Sequence, residues 1–172
     1  MNVHIAQFQN RVALAAENTK IVKEQEFIRV VSKKVADAFK TAEEHFRPTP
    51  SYTTTYDPSE EVDFLNKLGI MNVVARARVE TKDYIVMFNF REDSVEPNTE
   101  YGKILYSLAI SLSAKLMDHF FHPVIAGLEK GTTTFVFKYP VPDFVLGLLK
   151  SSTTRAEVKE VSGVYHLYVW IE

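Results

Sequence analysis

The chain has 172 residues and no cysteine, which excludes disulfides, thiolate metal sites and a cysteine nucleophile. Glycine is scarce at 6 residues, and no glycine-rich phosphate loop or glycine-flanked nucleophile serine is present. Residues 1–46 contain neither glycine nor proline, so nothing there interrupts a helix. No stretch approaches the ~20 apolar residues of a membrane span, and no basic segment followed by an apolar run marks a secretory signal. An excess of one charge is also missing. With 20 Lys and Arg against 22 Asp and Glu, the net charge of −2 argues against a surface that binds nucleic acid all over. These absences predict a cytoplasmic protein with no membrane association. What is present, 46% hydrophobic and 24% charged residues, is the composition of a folded globular chain.

The spacing of apolar residues divides the chain into an N-terminal helical arm (1–46), a Pro/Thr/Tyr loop (47–58) and an α+β core (59–172). In the arm, Ile5, Phe8, Val12 and Ala15 form one apolar stripe, and Ile28, Val31, Val35, Ala38 and Ala42 form another. The stripes fall out of register around Glu17 to Lys23. Either the chain turns there into a hairpin, or one long helix rolls its apolar face from one neighbour to another. Three-four spacing over two heptads suits packing against the chain's own core, or a coiled-coil seam in which Ile5, Phe8, Val12, Ile28, Val31 and Val35 are the candidate oligomer interface.

The core is expected to be organised around an apolar helix from Asn98 to His122, capped by Asn98 and stopped by Pro123. Ile104, Leu105, Leu108, Leu112, Leu116 and Phe120 make one row and Tyr106, Ile110, Met117 and Phe121 a second, so the helix should be covered on two sides. Around it the period changes to two. Met71–Arg91 reads as a hairpin turning at Lys82-Asp83, which would set Ala77 opposite Phe88. Val124–Tyr139 reads as a second hairpin turning at Glu129–Gly131, and Arg155–Glu172 as a third turning at Ser162-Gly163. The expected fold class is therefore α+β: an N-terminal helical arm followed by a mostly antiparallel sheet built from three β-hairpins, in the order hairpin-helix-hairpin-helix-hairpin, like split βαβ folds.

Chemistry is harder to find. His119 and His122 stand three apart with no third ligand at metal spacing, and helix-end packing accounts for them. Glu60, Glu61 and Asp63 cluster where a helix begins and are explained by its dipole. No catalytic residue, metal or cofactor is implied. The third hairpin offers more: with Ser162-Gly163 as its turn, Lys159 lies opposite His166, Glu157 opposite Tyr168 and Arg155 opposite Trp170. Basic groups interleaved with aromatics suit cation–π contact or base stacking, and Arg76 and Arg78 project from their own strand in the same way. Alternatively, the N-terminal helices lie across this face and make Trp170 core. The expectation is a non-catalytic, self-associating interaction protein, its partner another copy or a second macromolecule. The first alternative is a single-stranded nucleic-acid binder using Arg155, Lys159, His166, Tyr168, Trp170, Arg76 and Arg78. The second is a small enzyme whose site is assembled from distant residues.

Overall fold

The computed structural model describes residues 2–172, with side chains from His4 onward. They divide into two compact units, residues up to Ala36 and Asp37–Glu172. The fold is α+β, with two antiparallel three-stranded sheets among the described residues. Among those residues no helix is long and apolar enough to cross a membrane.

The first unit is helical. Helix α1 (Asn2–Glu44) runs without interruption, so the change of register at Glu17–Lys23 is a rolling apolar face and not a turn. Every residue from His4 to Glu26 is exposed, whereas Val31 and Val35 are fully buried.

In the second unit, the end of α1 is closed by Phe46 at φ 51°, which lets the Arg47 amide donate to the Ala42 carbonyl at 2.9 Å. The following segment is not the free loop expected for residues 47–58. Its Tyr and Thr residues favour extended backbone, and β1 (Ser51–Thr54) pairs antiparallel with β3 (Asp83–Phe90). On the other edge of β3 lies β2 (Met71–Arg78), giving the order β1-β3-β2. The β2–β3 register differs from the expected one by four residues: Ala77 lies opposite Tyr84, and Val73 opposite Phe88. The Arg78 guanidinium donates twice to Asp83, at 2.8 and 2.6 Å, and closes the hairpin around residues 79–82. Because the shift is even, the same residues still face inward. Helix α2 (Ser59–Lys67) is fastened to this sheet by Asn66, whose side-chain amide exchanges two 2.8 Å hydrogen bonds with the Val73 backbone.

Helix α3 (Glu100–Leu116) begins one residue later than expected, with Thr99 accepting from the Gly102 amide. It buries Tyr101, Leu105, Ala109, Leu112 and Leu116 on one face only. Ile104 and Ile110 remain half exposed, at 50% and 51%, so this helix is not covered on two sides within the chain. Nor does the helical path stop at Pro123. A π turn, Met117–Phe121, widens the backbone, the His122 amide donates to the Met117 carbonyl five residues back, and α4 (His122–Glu129) follows. The widened turn places Pro123 in the first turn of α4, where a missing N–H leaves no helical bond unmade.

Val124–Leu128 is thus helix, and the expected middle hairpin does not form. Instead β4 (Thr134–Phe137) pairs antiparallel with β6 (Val164–Ile171), which also pairs with β5 (Thr154–Val161) in the order β4-β6-β5. The single expected sheet is therefore two: β1 takes the free edge of β3, and β4 takes that of β6. Between β4 and β5, α5 (Asp143–Leu149) buries Val145 and Leu149.

Candidate functional site

Two surfaces stand out, one in each unit. The first is the exposed stretch of α1. Ile5, Phe8, Val12, Ala15, Thr19 and Val22 recur at three-four spacing, and Phe8 and Val22 are 67% and 62% exposed. Thr19 donates its hydroxyl to the Ala15 carbonyl at 2.8 Å, so this line carries no unmet polar group at that position. Val22 and Ile28 are six residues apart, which sets the later stripe roughly 120° around the helix from the first. Of the residues expected at an oligomer interface, Ile5, Phe8, Val12 and Ile28 are exposed. Val31 and Val35 are buried within the chain and are withdrawn from it.

The second surface is the outer face of the β4-β6-β5 sheet. Ser162 and Gly163 both adopt positive φ, 54° and 77°, the primed turn that fits a two-residue hairpin. That turn sets Arg155 opposite Trp170, Glu157 opposite Tyr168 and Lys159 opposite His166. Leu167 and Val169 then face inward and are fully buried, and alternation sends His166, Tyr168 and Trp170 outward. These three aromatics are half-buried, while Arg155 and Lys159 are exposed; Trp170 is not core. The Arg155 guanidinium lies over the Trp170 ring at 5.0 Å and the Lys159 ammonium lies 6.0 Å from the Tyr168 ring. Arg155 also meets the Glu172 carboxylate at 3.3 Å. Arg76 and Arg78 do not join this ladder. They belong to the other sheet, and Arg78 is committed to Asp83, whose carboxyl it holds down to about 2.

Two polar clusters escaped sequence reasoning. Glu61, 4% exposed, accepts hydrogen bonds from the Tyr52 and Tyr56 hydroxyls at 2.6 and 2.5 Å. Burial, and then the carboxylate beside it, pushes the Tyr52 hydroxyl well above its usual range. This latch fastens the segment after α1 to the first turn of α2. Its only sequence signal was the pair of tyrosines four apart. The other cluster surrounds His119, stacked on Phe46 at 3.8 Å and 15°, with Phe120 and Phe137 against it. Its Nε2 is buried with no hydrogen-bond partner, and burial lowers its pKa. His122 points elsewhere, 3.6 Å from Asp118, so the two histidines do not converge. Among the described residues no three potential ligands gather where a metal ion could be held.

No protein-family model, curated protein or solved structure matches the chain.

Proposed function

We propose that this is a non-catalytic assembly protein that joins copies of itself through the exposed part of α1, from Ile5 to Val22. The observation carrying this reading is that large apolar side chains at coiled-coil spacing stand on a helix with every residue from His4 to Glu26 exposed. Most helical stability in proteins comes from packing an amphipathic face against a neighbour, not from intrinsic propensity. Burying a large apolar side chain contributes about 1.5–3 kcal/mol, so pairing along this line supplies what the isolated helix lacks. A second copy suits the line because the positions flanking it select little by charge. Counting Ile5 and Phe8 as the repeating core positions, the flanks are Gln9, Ala16, Asn18 and Gln25, with Arg11 and Lys23 the charged exceptions.

Light scattering over a concentration series tests the reading. The wild-type chain should show a mass above 19.7 kDa that grows with concentration. Phe8→Glu with Val12→Glu should hold it at monomer mass with unchanged sheet content, because both side chains are exposed on α1. A wild-type monomer up to millimolar concentration would refute the proposal.

A further inference from the structure

We infer that the outer face of the β4-β6-β5 sheet binds single-stranded nucleic acid, admitting one base between His166 and Tyr168. This inference stands apart from self-association. The two rings are nearly parallel, 17° apart, with centroids 6.4 Å from each other. Stacked bases are spaced about 3.4 Å along a strand, so a base held between two rings needs ~6.8 Å. The centroid separation falls about 0.4 Å short of that span, so the two rings must part slightly to admit one planar ring. Trp170 continues the row one pleat further along β6, about 6.6–6.8 Å on, which places a third ring face for the neighbouring base.

Cations stand beside these rings where a phosphodiester chain would run. Lys159 and Arg155, both exposed, flank Tyr168 and Trp170. Two carboxylates oppose them: Glu157, opposite Tyr168, and Glu172, paired with Arg155. An anionic strand must displace Glu172 from Arg155 and pass Glu157. That requirement sets the sign of two substitutions, and a neutral aromatic peptide would not show it.

The test is fluorescence anisotropy with end-labelled dT12 and rU12 at low and moderate salt, following Trp170 emission in parallel. Binding of either strand with quenching of Trp170 is the expected result, and the ratio of the two affinities reports which sugar the face prefers. His166→Ala, Tyr168→Ala and Trp170→Ala should each weaken binding roughly 5- to 150-fold, the effect of losing one stacked base. Tyr168→Phe should keep it, since the ring face is what is used. Arg155→Ala and Lys159→Ala should each lower the salt slope by about 0.7, the single-strand value per phosphate. Glu157→Gln and Glu172→Gln should tighten binding, while Lys67→Ala, on α2, should leave it unchanged. Circular dichroism identifies any variant that fails to fold, and the exposed-charge variants keep the outcome readable in that event. No binding at low salt would overturn the inference. So would affinity that survives Tyr168→Ala in a folded variant, or an aromatic peptide bound more tightly than both strands.

Discussion

Phe46 holds a left-handed backbone conformation that costs a non-glycine residue about 1–2 kcal/mol, and its ring contacts with His119, Phe120 and Tyr139 offset that strain. The stacking has a second consequence. It places His119 Nε2 where nothing solvates or accepts from it, and burial holds the imidazole below its ordinary value of 6.5. The unfolded chain then takes up this proton before the folded chain does. Stability at this site is complete well above pH 6.5 and declines as pH falls through 6.5 toward the lower folded value. His119→Phe keeps a ring against Phe46 and removes the titration. Urea midpoints measured from pH 8 to pH 5 should therefore show the wild type losing ground to the variant below neutrality; parallel curves would mean that His119 does not titrate across the transition. Neither this cluster nor the Glu61 latch was legible in the sequence. Phe46 lies 73 positions before His119, and contacts over such distances leave no periodic trace.

At the level of elements, what is local was legible and what is long-range was not. The β5–β6 register follows from two residues, Ser162 and Gly163, because a two-residue turn leaves no freedom in the pairing. The β2–β3 register slipped because Lys82-Asp83 resembles a turn, whereas Asp83 is bound to Arg78 as the first paired position. Pro123 looked like the end of a helix, and the π turn that accommodates it has no distinguishing residue type. The short apolar run Val124–Leu128 fits strand or helix equally by periodicity. For α3 the two apolar rows were visible, but sequence could not say that only one is covered. That asymmetry is measurable. Leu112→Ala should cost about 2–5 kcal/mol, since Leu112 is fully buried, and Ile110→Ala, in the second row, less than half as much, since Ile110 is 51% exposed. Equal losses in denaturant titrations would mean that the second row is covered after all.

For the whole molecule, composition and period were enough for the α+β class, while the split into two sheets depended on which edge each short strand takes. Both β1 and β4 are four residues long, too short to declare a partner by pattern. The apolar stripes of α1 were legible residue by residue. The structure adds that the first stripe is exposed and that part of the second, Val31 and Val35, is not. The proposed role rests on this division: Val31 and Val35 are buried, while the stretch from Ile5 to Val22 is exposed, and the proposal assigns that stretch to a second copy. Amide hydrogen exchange over residues 4–26, recorded at rising protein concentration, tests it most directly. Pairing between copies predicts protection that grows with concentration and is abolished by Phe8→Glu with Val12→Glu. Exchange that stays the same at every concentration, fast or slow, would contradict it.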